Sequence, residues 1–329
     1  MDTITPTKVK QLGYLTIGVA DLDEGIEFYS RIARLALIER RGRTAFMSGG
    51  LDHHWLRLEE GSPGAQRVAF EAVDEAALDI VRADLVSQGI AVAEGGDMNE
   101  DRVQRWLRFV DPAGVDMELF VDMQQCPVAP PSPGVTIEKF LHAGFEVPNY
   151  DAAYTFYTQT LGFKASDFIG SAVSFLRCGD RFHHSLVMIR SSQPKPTLNH
   201  FCLQVAGLDD VMRFRHNAVR HGVALRDDLL RHAPSGSVGV YVKDEARGFA
   251  VEYCYGHPQV DDSHRPRILP MAVETVDVWR APLPDIASAS AAASTAPVAP
   301  SVPATAAASG ADPEAGGRSP AFELLSQGR

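Results

Sequence analysis

Cysteine is scarce in this sequence. The chain has four cysteines in 329 residues (Cys126, Cys178, Cys202 and Cys254), and none of them forms a CxxC pair. This distribution is not that of a disulfide framework, and it favours reduced thiols in the cytosol. We expect Cys202 and Cys254 to be small core residues.

Positive charge and long apolar runs are also lacking. The chain has 31 Lys and Arg against 42 Asp and Glu, a net charge of −11. Nucleic acids and anionic membranes bind basic surfaces, so neither is expected as a partner. No apolar run approaches the ~18 residues of a membrane-spanning helix, and residues 1–11 lack the apolar core of a secretion signal. We therefore expect a cytoplasmic protein.

The composition divides the chain into a globular part and a tail. With 45% hydrophobic and 22% charged residues, the chain can bury a sizeable core. Residues 282–329 are rich in Ala, Ser and Pro, and such a segment is expected to be disordered. Residues 124–135 contain four prolines and are expected to be a linker. The predicted domains are residues 8–123 and 136–281.

The two predicted domains repeat each other. Three segments of the first recur in the second in the same order: VADLDEGIEFY (19–29) and VPNYDAAYTFY (147–157), SQGIAVAE (87–94) and RHGVALRD (220–227), and FVDPAGVDME (109–118) and VKDEARGFAVE (242–252). Repetition at this spacing indicates duplication of a whole domain, not a short-period solenoid.

Each half contains the same order of elements twice. A short strand pattern comes first, and a helix follows it from an Asp or Asn cap such as Asp21, Asn149 or Asp209. Several strands then complete the unit, separated by turn signals such as the Asp-Pro-Ala-Gly run at 111–114. The sequence therefore predicts an α+β protein of two tandem domains, each built from two βαβββ modules.

Histidine distinguishes the halves, because nine of the eleven histidines lie in the second. His142 and His200 occupy matching positions in the first strands of its two modules, and Glu252 lies in a last strand that is otherwise apolar. An ionised Glu in such a strand is costly unless a cation or partner compensates it. Two imidazoles and one carboxylate can occupy one face of a metal ion and leave positions open, which suits Fe(II) chemistry with dioxygen.

The repeat provides an internal comparison for these residues. Aligned on the repeated segments, the first half has Tyr14 at the position of His142, Arg67 at that of His200, and Glu118 at that of Glu252. The fold therefore does not require histidine at the first two positions. We interpret the two histidines of the second half as functional.

With these residues and modules, the chain resembles the vicinal oxygen chelate superfamily, and within it the type I extradiol ring-cleaving dioxygenases. The resemblance rests on the order of His142, His200 and Glu252 in duplicated βαβββ modules, and it covers about residues 8 to 280. It implies a non-catalytic first domain and a catalytic second domain that binds Fe(II), although the same ligands suit Mn(II). It also implies a catecholic substrate, dioxygen as co-substrate, and a homo-oligomer.

Three further residues match that family. The segment Asp180–Leu186 resembles the family segment whose second histidine is the active-site acid/base, which implies this role for His184. His232 and Tyr241 match a His and Tyr pair that borders the substrate. His183 would face away from His184 if both lay on a strand, so a structural or solvent-facing role is expected for it. His257 and His264 are expected at helix surfaces or in loops.

The sequence is also compatible with two other functions. A glyoxalase-like isomerase of the same superfamily would typically need an additional carboxylate ligand, and would give no role to the His184, His232 and Tyr241 set. A ligand-binding or resistance protein of the same fold would usually lack the metal ligands.

Overall fold

The computed structural model describes residues 6–281 of the chain. The tail predicted to be disordered, residues 282–329, lies outside the described residues. Within 6–281, no helix combines the length and apolar character needed to cross a membrane.

The first half forms one curved sheet of eight strands with two helices. The strands are β1 (Val9–Val19), β2 (Ala36–Arg41), β3 (Thr44–Ser48), β4 (Leu56–Glu60), β5 (Gly64–Ala72), β6 (Ala93–Asp97), β7 (Val103–Val110) and β8 (Asp116–Met123). Helix α1 (Leu22–Arg31) follows β1, and α2 (Glu75–Ser87) follows β5. Asp21 caps α1 as predicted, because its side chain accepts hydrogen bonds from two first-turn backbone N–H groups.

The second half forms a nine-stranded sheet. Its strands are β9 (Ile137–Val147), β10 (Lys164–Ile169), β11 (Val173–Arg177), β12 (Leu186–Arg190), β13 (Thr197–Val205), β14 (Leu225–Arg231), β15 (Val238–Asp244), β16 (Phe249–Tyr255) and β17 (Arg267–Leu269). Helix α3 (Tyr150–Thr155) continues into a π-helical turn (Phe156–Thr160), and α4 (Leu208–Arg220) follows β13. The predicted caps Asn149 and Asp209 are wrong, because the Asn149 side chain makes no capping hydrogen bond and Asp209 lies inside the first turn of α4. A short helix α5 (Val273–Val276) and a 3₁₀ turn (Val278–Arg280) end the described chain.

The strand order confirms the predicted modules. The first sheet has the order β2-β3-β4-β1-β5-β8-β7-β6, and the second has β14-β15-β16-β13-β9-β12-β11-β10-β17. Each module is one strand, one helix and three strands. Two modules join where their first strands pair antiparallel, β1 with β5 and β9 with β13. Among the strands of residues 6–281, β17 is the one without a counterpart in the first sheet.

The strand registers of the two sheets also match. The equivalent rows across three strands are Tyr14–Ala69–Glu118 in the first sheet and His142–Cys202–Glu252 in the second. Arg67 pairs with Thr16, and His200 pairs in the same way with Gly144. The alignment made from the repeated segments is therefore the alignment of the two sheets.

The two halves share one continuous hydrophobic core. Phe140, Phe201 and Tyr253 of the second half are buried in the same cluster as Tyr29 and Trp55 of the first. Burial of this apolar surface is what holds the two sheets together. The strands that carry the predicted metal ligands, β9, β13 and β16, are therefore central strands with a packed core behind them.

Candidate metal centre

The three predicted metal ligands meet on neighbouring central strands. His142 is on β9, His200 on β13 and Glu252 on β16, and all three are buried, with exposures of 2%, 6% and 1%. Side chains of adjacent strands on one face of a sheet are close enough to interact. This arrangement explains why residues more than 100 positions apart in the sequence share one site.

Their donor atoms converge at the spacing that one ion requires. His142 Nε2 lies 3.1 Å from His200 Nε2 and 3.0 Å from Glu252 Oε2, and His200 Nε2 lies 3.6 Å from the same oxygen. Ligands at right angles around an ion with bonds of about 2.1 Å are about 3 Å apart. Glu252 Oε2 is buried without a hydrogen-bond partner among the described residues. The donor set therefore fits a divalent cation.

The protonation states of these residues also suit a metal. Burial holds the pKa of His200 well below its usual value, so this imidazole is neutral. Burial raises the pKa of Glu252, but the imidazoles of His142, His232 and His200 outweigh it and leave that pKa well below the usual value. A neutral imidazole and an ionised carboxylate are the forms that bind metal ions.

Asn199 orients His200, and the sequence analysis did not identify it. Its side-chain oxygen accepts a hydrogen bond from His200 Nδ1 at 2.8 Å, which leaves Nε2 unprotonated and facing the other ligands. The Arg226 guanidinium donates to the same oxygen at 2.8 Å and to the Asn199 carbonyl at 2.9 Å. It also lies over the ring of Tyr241, 4.5 Å from the centroid. These contacts fix the orientation of His200, with Nε2 toward His142 and Glu252.

His184 lies against the same centre. Its ring is buried, and its centroid is 4.3 Å from that of His142 and 5.0 Å from that of Phe175. Burial, followed by the neighbouring His142 and His257, holds the pKa of His184 well below its usual value. His257 follows β16 in a loop, as expected, but it is buried, and its Nε2 accepts from the His184 backbone N–H at 3.3 Å.

The predicted orientation of His183 is wrong, although its contact with Asp167 fits the structural role that was one of the two expected. His183 is buried, and its Nδ1 lies 3.0 Å from Nδ1 of His184. The prediction assumed that both residues lie on a strand, where side chains alternate between faces. They lie instead in the loop that precedes β12, so the alternation does not apply.

His232 and Tyr241 form the predicted pair beside the carboxylate. Tyr241 Oη lies 2.9 Å from His232 Nε2. His232 Nδ1 donates a hydrogen bond to the Val276 carbonyl at 2.9 Å. The unprotonated His232 Nε2 can therefore accept a hydrogen bond from the Tyr241 hydroxyl. His232 Nε2 is also 3.8 Å from Glu252 Oε1. Burial, followed by the charge of Glu252, raises the pKa of Tyr241 well above its usual value, so this residue remains a donor.

A cavity opens beside these residues. The metal-ligand set, His184, His232 and Tyr241 all line it. Its opposite wall is apolar and comes from β10, β11 and β12: Ile169, Val173, Phe175, Val187 and Ile189. A cavity with an apolar wall and a few converging polar groups is typical of small-molecule sites.

The corresponding place in the first half is closed by side chains. Tyr14 donates a hydrogen bond to Glu118, and the Arg108 guanidinium pairs with Glu118 Oε2 at 2.7 Å. Arg67, at the position of His200, pairs with Asp116. The buried carboxylate of the first half is thus compensated by a hydroxyl and a guanidinium, which leaves no reason for a metal there.

The chain matches known proteins over most of its length. The family model of the glyoxalase/bleomycin resistance protein/dioxygenase superfamily matches residues 11–119 and 139–253. The biphenyl-2,3-diol 1,2-dioxygenase of Metapseudomonas furukawaii is 30% identical over 275 residues, which cover 78% of this chain and 89% of that protein. The 3-methylcatechol 2,3-dioxygenase of Pseudomonas putida is 31% identical over 274 residues, covering 77% of this chain and 91% of that protein.

Solved structures of the same fold include two with different activities. A Mn(II)-bound glyoxalase from Novosphingobium aromaticivorans aligns with a TM-score of 0.77 and 26% identity, covering 84% of this chain and 92% of its own. A halotolerant catechol dioxygenase aligns with a TM-score of 0.73 and 22% identity, covering 80% and 92%. The chain belongs to the glyoxalase/bleomycin resistance protein/dioxygenase superfamily, and among its members it groups with the extradiol ring-cleaving dioxygenases.

Proposed function

We propose that this protein cleaves a catecholic ring next to its diol, with dioxygen, at a single non-haem Fe(II) held by His142, His200 and Glu252. The observation that carries this proposal is the convergence of these three donor atoms, 3.0 to 3.6 Å apart, at the floor of the cavity. A bound Fe(II) would supply open coordination positions for the two diol oxygens and for dioxygen. The relatives named above act on diols of this kind and support the same conclusion.

The other site residues would handle the substrate and its protons. His184 lies next to His142, and its imidazole is neutral. We therefore propose that it acts as a general base and accepts the proton of a diol hydroxyl. Tyr241 and His232 would hydrogen-bond the substrate oxygens and assist proton transfer during ring opening. The apolar wall of the cavity would pack against the ring and exclude water. The product would be a ring-opened muconate semialdehyde, as expected in the degradation of aromatic compounds.

The first domain, residues 8–123, would have no catalytic role, and residues 136–281 would contain the whole active site. The closed arrangement of Tyr14, Glu118 and Arg108 supports this division. The segment between them, residues 124–135, would serve as a linker.

Iron is our proposal for the metal, although Mn(II) suits the same ligands. A second function, glyoxalase-like isomerisation, is favoured by the likeness to the Mn(II)-bound glyoxalase. That reaction needs no dioxygen and gives no role to Tyr241 and His232. Oxygen consumption therefore separates the two functions, and a ligand-binding protein without chemistry would show neither reaction.

The test is to load the purified chain with Fe(II) under anaerobic conditions and then expose it to air with a panel of catechols. The panel contains catechol, 3-methylcatechol and biphenyl-2,3-diol. We expect uptake of one O₂ per diol and a coloured ring-fission product with at least one of them. No colour and no oxygen uptake with any diol would favour the isomerase or the binding protein.

Two expectations from the sequence remain proposals. Light scattering of the purified chain tests for a homo-oligomer. A cytoplasmic location is consistent with the four cysteines, which are all unpaired.

A further inference from the structure

A buried carboxylate and a second histidine lie behind His184. His183 Nε2 is 3.0 Å from Asp167 Oδ2, and His183 Nδ1 is 3.0 Å from His184 Nδ1. Asp167 and His183 have exposures of 0% and 1%. The three side chains therefore form one continuous line from β10 to the edge of the cavity.

The charge of Asp167 sets the direction of these hydrogen bonds. Burial raises its pKa, but hydrogen bonds from His183 and Arg267 outweigh this and lower it to about 2, so Asp167 is ionised and only accepts. His183 must then carry its proton on Nε2, which leaves Nδ1 as an acceptor. His184 must in turn donate from Nδ1, which leaves its Nε2 unprotonated.

The other polar groups around Asp167 also indicate that its carboxylate acts as a hydrogen-bond acceptor. The Arg267 backbone N–H donates to Asp167 Oδ1 at 2.8 Å, and its guanidinium also pairs with the carboxylate. His264 Nε2 is 3.9 Å from Oδ1, but its closer partner is the Ser166 carbonyl at 2.8 Å. The Asp167 carboxylate therefore accepts hydrogen bonds from Arg267 as well as from His183, as an ionised carboxylate does.

The first half holds the same arrangement without an active site. His53 Nε2 lies 3.4 Å from Glu39 Oε2, and His53 Nδ1 lies 3.3 Å from His54 Nδ1. Glu39 is the fourth residue of β2, as Asp167 is the fourth residue of β10. The His54 ring packs on Tyr14, which occupies the position of a metal ligand in the second half. The acid–His–His line is therefore common to the first module of each half, and in the second half it ends at a histidine that lines the cavity.

We propose that Asp167 and His183 are positioning residues that hold His184 as the Nδ1–H tautomer, with Nε2 as the nitrogen that accepts the proton of a diol hydroxyl. The inference rests on the proposed function for the identity of that proton. In the step, the hydroxyl O–H bond breaks and an N–H bond forms at His184 Nε2. The resulting imidazolium keeps its Nδ1 proton in a hydrogen bond to His183, and the negative charge of Asp167 stabilises it.

The first test reads the tautomers directly and needs no activity. We expect ¹⁵N spectra of histidine-labelled full-length chain, without added metal, to show a protonated Nε2 for His183 and a protonated Nδ1 for His184. Substitution of each histidine by Gln assigns its signals. A His184 protonated at Nε2 would overturn the proposal whether or not the chain cleaves catechols.

The second test uses the duplicated line as a matched control. His183→Asn is expected to lower kcat for 3-methylcatechol about 10–100-fold, with iron content unchanged and KM changed by less than about threefold. His53→Asn, in the first half, should leave kcat within about twofold of the wild-type value. Added imidazole should restore part of the lost kcat in His183→Ala and have no effect on the wild type.

Two outcomes would contradict the positioning role. One is a kcat for His183→Asn within about twofold of the wild-type value. The other is an equal loss of kcat in His53→Asn, which would show that the line serves only folding. If His183→Asn does not fold, Asp167→Asn replaces it with the same expectations. A wild-type chain that is inactive on every diol would refute the proposed function instead, and the tautomer measurement would still decide this inference.

Discussion

At the scale of single residues, the site is defined by what the ligands contact on their far side. His200 faces Glu252 with Nε2 and is held by Asn199 through Nδ1. Arg226 in turn holds Asn199 from both its side chain and its carbonyl. A histidine that is fixed in this way holds one nitrogen in one orientation, so less ordering would be required if an ion bound there.

The contact with Asn199 gives a first prediction. Asn199→Ala should weaken Fe(II) binding about 10–100-fold, because His200 loses the acceptor that fixes its tautomer. Titration of the full-length chain with Fe(II) under anaerobic conditions measures this change. Asn217→Ala is the control, since Asn217 is also buried but hydrogen-bonds to Arg31 and Arg34, far from the site. Equal iron affinity in the two variants would contradict the role of Asn199.

The sequence predicted the three candidate ligands but not the residues that support them. His142 and His200 stood out because the repeat has Tyr14 and Arg67 at their positions, and Glu252 stood out because its strand is otherwise apolar. Asn199 could not be predicted, because neighbouring residues on a regular strand point to opposite faces. The pairing of β13 with β9 is shifted between Leu198 and His200, and this irregularity brings the Asn199 side chain beside the imidazole.

At the scale of elements, the pairing of β9 with β13 makes room for the site. Gly144 lies directly opposite His200, and a Cβ atom on Gly144 would be 2.5 Å from His200 Cε1. Carbon atoms do not approach so closely, so a side chain at this position would displace the imidazole. At the equivalent position the first sheet has Thr16, which lies opposite Arg67 and not opposite a histidine.

The second prediction follows from this close approach. Gly144→Ala should lower the iron content of the purified chain and its kcat together, because the His200 ring can no longer meet His142 and Glu252. Metal analysis and ring-fission kinetics on the same preparation check both. Gly61→Ala serves as control, since no atom lies within 4 Å of a Cβ built there. Full iron content in Gly144→Ala would show that the strand tolerates the side chain.

The elements within the repeat were largely predictable, but several others were not, among them α5 and the 3₁₀ turn that follows it. The βαβββ order followed from the repeated segments, since the same signals occur in both halves. The π-helical turn Phe156–Thr160 was not predicted, because its sequence resembles the regular helix α1 of the first half. Strand β17 was not predicted either, because it lies beyond the repeat and forms only by pairing with β10.

At the scale of the whole molecule, the two halves exchange equivalent hydrogen bonds. The Tyr29 hydroxyl of the first half donates to Asp244 of the second at 2.7 Å. The Tyr157 hydroxyl of the second half donates to Asp111 of the first at 2.8 Å. All four residues are buried. The sequence could not predict these contacts, because they join residues far apart in the chain, and the repeat aligns positions without showing which half they contact.

The third prediction concerns the contribution of these contacts to the free energy of unfolding. Tyr29→Phe should lower the free energy of unfolding by about 1–3 kcal/mol, because a buried carboxylate loses a donor. Urea denaturation followed by fluorescence measures the change. Tyr255→Phe removes a hydroxyl from an exposed residue and should cost less than about 0.5 kcal/mol. A Tyr29→Phe variant as stable as Tyr255→Phe would show that the hydrogen bond between the halves adds nothing.

The most direct test of a metal-dependent dioxygenase whose site lies in the second half compares Glu252→Gln with Glu118→Gln. These are equivalent buried carboxylates of the two halves, and only Glu252 lies beside two imidazoles. After anaerobic loading with Fe(II), we measure bound iron and ring-fission activity in both folded variants. We expect Glu252→Gln to lose both iron and activity, and Glu118→Gln to keep both. Full iron and activity in Glu252→Gln would contradict the assignment.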